Sequence, residues 1–265
     1  MSRPHPPLHS VSPNLDGRPR LRVLTLNLHK GFSAWGRRDV LQQIRAAVHD
    51  VGADLVFLQE VLGEVPELVG LDGTRRHRSQ YEFLADSLWA EHAYGRNAVS
   101  PRGHHGNALL SRWPIVSWRN LDVSAQRAEA RGLLHCCVQI PGWTHRLHAI
   151  CVHLGLREAE RQAQIGQLIQ LVDQARMNQE PVLVAGDFND WRLLGHRRLQ
   201  RDSALRDVHG HAMGRPVRTF PAQLPLLRLD RIYVDQVQWH APERLPAQPW
   251  AKLSDHQPLL AEVVL

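Results

Sequence analysis

Long apolar runs, paired cysteines and lysine are all scarce in this 265-residue chain, and each scarcity excludes something. No segment approaches the roughly 18 to 20 apolar residues that cross a bilayer as a helix, which argues against a transmembrane segment. The N-terminal stretch lacks the apolar core of a secretory signal, so a cytoplasmic chain, and a monomer, is the expectation. Three cysteines are too few for a disulfide framework. Cys136 and Cys137 are adjacent in an apolar run that reads as a strand, which aims their side chains at opposite faces. With no CxxC pair, reduced thiols and no zinc site are expected. Lysine occurs only at 30 and 252, so the formal charge of +6 rests on arginine. Arginine forks onto phosphate, which suits a phosphate-bearing partner, although a GC-rich genome gives the same bias. "TRRHR" (Thr74 to Arg78) and "GHRRLQR" (Gly195 to Arg201) are either contacts for a nucleic acid or an anionic membrane, or solvated loops.

What is present is an ordinary globular composition, 43% hydrophobic and 22% charged, at a length that suits one large α/β domain. Residues 1–20, with repeated prolines, read as a disordered tail, and 21–265 as a single domain with no internal repeat or long linker. "LRVLTLNL" (Leu21 to Leu28) reads as a first strand. A helix follows, with Val40, Leu41, Ile44, Ala47, Val48 and Val51 at helical spacing and Gly52 closing it, and then the strand "ADLVFLQEV". After a helix around "YEFLADSLWAEH", the runs "GNALLSRWPIVSW", "RGLLHCCVQI" and "HRLHAICVHL" read as successive strands, antiparallel in one arrangement. A second long helix spans roughly 157–177, and "PVLVAGDFN", "LDRIYVD" and "HQPLLAEVVL" supply the last strands. Two face-to-face sheets with helices outside account for this order better than one parallel sheet, which periodicity alone does not exclude.

Polar residues recur where these strands end. Asn27 ends the first, Glu60 the second, His153 ends "AICVHL", Asp187 and Asn189 end "VLVAG", Asp230 opens "LDRIYV", and Asp255 with His256 precedes the last. A rim with this many carboxylates repels itself unless a cation sits among them. Oxygen donors such as Asn27, Glu60 and Asp255 suit hard Mg²⁺ or Mn²⁺ better than zinc. Each residue also has an ordinary structural reading. Asn27 can cap a turn, Glu60 can start a helix, and Asp230 can pair with Arg231.

In order, the chain reads "TLNLHKG", "LVFLQEV", "HGNALLSRWPI", "EARGLL", "CVHLGLR", "VAGDFND", "LDRIYV" and "LSDHQPL". This series, from Leu21 to Leu265, resembles the endonuclease/exonuclease/phosphatase superfamily, the DNase-I-like metal-dependent phosphoesterases. The motifs "HKGF", "YGRN", "HHGNA", "HLGLRE" and "RTFP" are most similar to a group of bacterial members often encoded beside a cardiolipin synthase.

The resemblance implies a four-layered αββα sandwich of two mixed sheets flanked by helices. It also implies hydrolysis of a phosphate ester with Mg²⁺ or Mn²⁺. It assigns Asn27, Glu60 and Asp255 to the metal, and His256 to the general base, oriented by Asp230. Asp187 and Asn189 would position water and phosphate, His153 would donate to a phosphoryl oxygen, and Arg131 and Asn107 would contact substrate. Elementary chemistry agrees, since attack on a phosphodiester anion needs charge neutralisation and a base that works near neutral pH.

The chain departs from the family's pattern at His29, where many members have an acid, and at Arg231, where an aromatic is frequent. His104 and His105 either line the cleft or sit solvated in a glycine-rich loop. The expected substrate is DNA or RNA. A phospholipid head group and a non-catalytic nucleic-acid or membrane binder are the alternatives. The chain lacks the long apolar insertion of membrane-acting sphingomyelinases, for which Trp35, Trp191 and Trp250 are partial substitutes.

Overall fold

Strand alternation decides the layering. The computed structural model describes residues 18–34, 38–63, 79–85, 89–100, 103–125, 130–240, 242 and 245–265. In chain order the elements are β1 (Arg20–Asn27), α1 (Leu41–Val51), β2 (Leu55–Leu62), α2 (Gln80–Ala85), β3 (Glu91–Ser100), β4 (Gly103–Ser111), β5 (Ile115–Asp122), β6 (Gly132–Gln139) and β7 (Arg146–His153). They continue with α3 (Glu158–Met177), β8 (Val182–Asp187), α4 (Leu194–Asp202), β9 (Arg206–Asp207), α5 (Val208–Met213), β10 (Asp230–Asp235), β11 (Gln238–Trp239), α6 (Ala247–Leu253) and β12 (Leu259–Val264).

Two six-stranded mixed sheets result, ordered β11-β12-β1-β2-β4-β3 and β5-β6-β7-β8-β10-β9. Alternate residues of both, among them Leu21, Val23, Phe57, Leu134, Cys136, Ala149, Cys151 and Leu183, meet in one core between the sheets. The opposite face of the first sheet, with Leu24, Leu26 and Val56, packs under Leu41, Ile44 and Val48 of α1 and under Trp250 of α6. The outer face of the second, with Ile150, Val152 and Val184, packs under Ile165, Leu168 and Val172 of α3. Each fully buried aliphatic side chain contributes about 1.5–3 kcal/mol. The expected four-layered sandwich is therefore the architecture.

Each sheet has one parallel pair, β1 with β2 and β7 with β8, among antiparallel neighbours. Their carboxyl ends carry Asn27, Glu60, His153 and Asp187 to one edge of the sandwich. Gly186 lets β8 approach β7 there. Its φ is +147°, and a Cβ would lie 2.0 Å from the Val152 carbonyl oxygen.

Several expectations need correction. Of the expected tail, residues 1–17 lie outside the described residues, but β1 already begins at Arg20 and the Pro19 carbonyl accepts from Leu265 N–H. Of the helix expected around "YEFLADSLWAEH", α2 is described to Ala85 and residues 86–88 lie outside the described residues. Glu91 onward is β3, paired along its length with β4, and Trp89 donates from Nε1 to the Ala53 carbonyl. "GNALLSRWPIVSW" is two strands in different sheets, split where Ser111 Oγ bonds both Trp113 N–H and Trp113 carbonyl ahead of Pro114. Glu60 does not end β2. It sits in a bulge between Leu58 and Val61, with φ 54°. His104 and His105 lie within β4, not in a loop, and His104 Nδ1 is 2.9 Å from the Tyr94 hydroxyl.

Of the tryptophans proposed to grip a membrane, Trp35 lies outside the described residues and Trp250 is buried in the α6 core. Trp191 is exposed, with the Arg161 guanidinium 4.8 Å over its ring. "TRRHR" also lies outside the described residues, whereas "GHRRLQR" belongs to α4.

Candidate active site

Asn27 joins the two sheets at the shared edge. Its Nδ2 donates to Glu60 Oε1 and to Asp187 Oδ2, both at 3.3 Å, and its Oδ1 accepts from His29 N–H at 3.0 Å. The β2 bulge turns Glu60 toward this point, as bulges beside active sites re-aim a side chain. Asp187 Oδ1 accepts from Asn189 N–H at 2.9 Å, and Asn189 Nδ2 donates to the Leu154 carbonyl at 2.9 Å, so the end of β8 is braced against the end of β7. His29, Lys30, Glu60 and Asn189 all have φ between 48° and 57°. Left-handed backbone at non-glycine residues is strained, and such strain gathers at functional sites.

On the far side of Asp187, His256 Nδ1 lies 2.8 Å from Asp230 Oδ2, and its Nε2 faces Asp187 Oδ2 at 3.8 Å. His153 Nε2 approaches the same Asp187 oxygen at 3.6 Å. The loop that delivers His256 is pinned by Ser254, whose hydroxyl donates to the Asn27 carbonyl and accepts His256 N–H. Thr219 Oγ1 accepts from Asp230 N–H, and the Phe220 ring packs 5.0 Å from the His256 ring. Sequence reading missed Ser254, Thr219 and Phe220, although Ser254 stands inside the "SDH" motif.

The electrostatics divide the site. Burial, Asp230 and Glu60 push the Asp187 carboxyl up to about 6, against the pull of His256 and the Asn189 N–H. Burial alone would lower His256, but Asp230, Asp187 and Asp255 overcome it and hold the imidazolium, up to about 10. His153 goes the other way, lowered well below the usual imidazole range by burial and by Arg131, His256, His105 and Lys30. Of the two histidines facing Asp187, His256 is therefore cationic and His153 neutral.

The expected residues fall into this frame unequally. Asn27, Glu60, His153, Asp187, Asn189, Asp230 and His256 converge. Asp255 borders them, half-buried, with Oδ1 3.8 Å from His29 Nδ1, so the histidine that replaces the family's acid leans on the expected metal ligand. Asn107 is fully buried, and its Nδ2 donates across the sandwich to the carbonyls of Gly132 and Cys151 while Oδ1 has no hydrogen-bond partner among the described residues. Arg131 is buried close enough to His153 to depress its basicity. Arg231 pairs with Asp190 at 3.4 Å, not with Asp230.

As it stands Asn27 turns nitrogen, not oxygen, toward the two carboxylates, and ligation through Oδ1 would need a half-turn of the amide away from His29 N–H. The donors nevertheless fit a hard cation. They are mostly carboxylate and amide oxygens, the Asp230 Oδ1 atom is buried with no hydrogen-bond partner among the described residues, and Asp187, Asp230 and His256 present ligand atoms within 4.8 Å of one another.

A sandwich of this topology with these strand-end groups defines a DNase-I-like protein, and residues 24–256 match the endonuclease/exonuclease/phosphatase family, to which the chain belongs. That family includes nucleases and phosphodiesterases. The chain is 52% identical over 246 residues to the uncharacterised protein YbhP of Escherichia coli strain K12, covering 92% of this chain and 96% of that one. In structure it is similar to an endonuclease/exonuclease/phosphatase from Beutenbergia cavernae DSM 12333, with a TM-score of 0.74, 21% identity, and coverage of 94% of this chain and 72% of that one. The human Nocturnin catalytic domain, solved with a bound sulfate anion, is also similar, with a TM-score of 0.70, 18% identity, and coverage of 94% and 96%. No helix among the described residues is long and apolar enough to cross a membrane.

Proposed function

We propose that the chain is a Mg²⁺- or Mn²⁺-dependent phosphodiesterase acting on DNA or RNA. The observation that carries this reading is the Asp230–His256 pair, 2.8 Å apart, with the free imidazole nitrogen facing the Asp187 carboxylate, which shares the Asn27 amide with Glu60. Asn27, Glu60 and Asp255 would hold the cation. Bound there, it supplies positive charge both to the phosphoryl oxygens and to the carboxylates that otherwise keep His256 protonated.

The chain's own groups would do the rest. Asp230 fixes the imidazole tautomer through Nδ1, so that Nε2 is the atom that takes the proton of the attacking water. Asp187, its carboxylate held by Asn189 N–H, orients that water. His153, with Arg131 behind it, donates to the phosphoryl oxygens as charge grows on them. A cavity of about 450 Å³ lined by Arg215, Arg218 and Arg228 opens from the segment that carries Thr219, which suits a polyanion extending past the scissile phosphate.

A second reading, a lipid head-group phosphodiester, is favoured by one observation. Leu224, Leu226 and Leu227 are exposed on the same segment as these arginines, a pairing that suits an anionic bilayer surface.

Both readings meet one test, in which supercoiled plasmid, single-stranded DNA, RNA, an aryl phosphodiester and cardiolipin-containing vesicles are incubated with Mg²⁺, Mn²⁺ or EDTA, beside His256→Ala. Metal-dependent cleavage that falls about 10²- to 10⁴-fold in the variant is expected. Preference for nucleic acid supports the first reading and preference for vesicles the second. Equal turnover in EDTA, or by folded His256→Ala, would overturn both.

A further inference from the structure

The second sheet carries another cluster of ligand-type side chains, on its outer face, with no part in the strand-end site. His135 and Cys137 of β6 are two residues apart and share that face, while Cys136 between them points into the inter-sheet core. The antiparallel register sets Cys137 opposite His148 of β7. His148 precedes His153 by five strand positions, about 17 Å of chain at strand rise, and faces the other way.

We propose that His135, Cys137 and His148 bind a borderline-soft divalent cation of the zinc type, as a site separate from the one at the strand ends. His135 Nε2 and His148 Nδ1 are 2.7 Å apart on stacked rings, and Cys137 Sγ lies 4.0 Å from each. All three ligand atoms fall within 4.8 Å of one another. Glu180 Oε2 lies 2.7 Å from His148 Nε2, which suits a proton on Nε2, so that a cation binding at Nδ1 would displace the proton this nitrogen shares with His135 Nε2. A carboxylate behind a ligating histidine is the arrangement that orients zinc ligands and raises their basicity.

Two imidazole nitrogens and a sulfur select zinc over magnesium. Tetrahedral ligation, with bonds of about 2.1 Å to nitrogen and about 2.3 Å to sulfur, asks the nitrogens to separate and the sulfur to approach by roughly half an ångström each. Side-chain torsions supply that without moving the strands. The thiol suits the role, because burial opposes its ionisation but hydrogen bonds with His135, His148 and Ser117 bring it down to about 5. Cys137 is half-buried and Ser117, opposite it on β5, is exposed, so the fourth position is open to water and the ion has a path in. The absence of a CxxC pair argued against zinc, but here the ligands come from two strands, where spacing along the chain carries no signal.

The test uses the full chain, reduced, stripped with EDTA and desalted, and titrated with Co²⁺ in the presence of excess Mg²⁺. About one equivalent should produce a near-ultraviolet thiolate-to-cobalt charge-transfer band with visible tetrahedral absorption, and Zn²⁺ should displace both. Cys136 and Cys151 are fully buried in the core, so the band reports on Cys137. Cys137→Ser should abolish the band, and Glu180→Gln should keep it while weakening Co²⁺ binding about 10- to 100-fold. Absence of the band at saturating Co²⁺ in the folded, reduced wild-type chain would overturn the proposal, whatever the variants do. So would the same band in Cys137→Ser. A purely hydrogen-bonded Glu180–His148–His135 relay gives the first of these results.

Discussion

Asp187 and Asp190 stand three residues apart in "GDFND", both buried, and the contrast between them separates what is held for chemistry from what is held for structure. The Asp190 carboxylate accepts from Gly195 N–H and His196 N–H at the start of α4 and pairs with the buried Arg231 guanidinium, which also donates to the Asp190 carbonyl. Asp187 pairs with no arginine among the described residues. Its close neighbours are amides, two histidines and the carboxylates of Glu60 and Asp230, and it is pushed up to about 6. The paired histidines repeat the contrast. His256, among carboxylates, is raised to about 10, whereas His196 is lowered to about 4 by burial and by Arg231 and Arg197. A buried charge answered by a fixed opposite charge is spent, while one crowded by like charges is kept reactive by its surroundings.

Two isosteric substitutions sharpen this contrast. Asp187→Asn should lower hydrolysis about 10²- to 10⁴-fold. It should leave unfolding stability unchanged or raised, because it removes one like charge from beside Asp230 and Glu60. Asp190→Asn should do the reverse. It takes from the buried Arg231 guanidinium the carboxylate 3.4 Å away, with Asp207 the neighbouring carboxylate that remains, at a cost of about 3 kcal/mol, while the specific activity of the folded fraction persists. Urea unfolding and initial rates on both variants decide it. An Asp187→Asn protein that hydrolyses normally, or an Asp190→Asn protein that is fully stable but inactive, would break the comparison.

The two aspartates also mark the limit of what the chain discloses before it folds. Asp187, Asn189, Asp255 and His256 were legible because short ordered motifs carry them, and α1 and α3 because their apolar residues follow the helical period. Asp190 drew no role, since its partner Arg231 is 41 positions away and meets it only across the β8–β10 ladder. Only the first two residues of β3, Glu91 and His92, were read into the preceding helix and the rest was given no element, because pairing with β4 is what makes the segment a strand. Glu60 was placed at the end of β2 and not in its bulge, because a bulge is a property of two paired strands and leaves no mark on one. Trp250 looked available to a membrane because its burial, from α6 onto the first sheet, depends on that sheet.

The smallest expected effect belongs to His196, where the sign of the pH dependence tests the comparison. Its Nδ1 is 2.8 Å from the Tyr233 hydroxyl, and burial, with Arg231 and Arg197 behind it, keeps the folded ring neutral down to about 4, below the ordinary 6.5 of the unfolded chain. Between those values the unfolded state binds the extra proton, so this contribution to stability is complete above about pH 6.5 and is lost as pH falls toward 4. From pH 7 to pH 5 the loss amounts to about 2 kcal/mol at most. Asp187 works in the opposite direction, since its raised carboxyl favours folding as pH falls, but it is common to wild type and variant and cancels between them. His196→Gln should therefore lose less stability than wild type between pH 7 and pH 5 in paired urea titrations. Identical pH slopes would mean that His196 already shares its proton in the fold, and that the arginine behind Asp190 does not govern its charge.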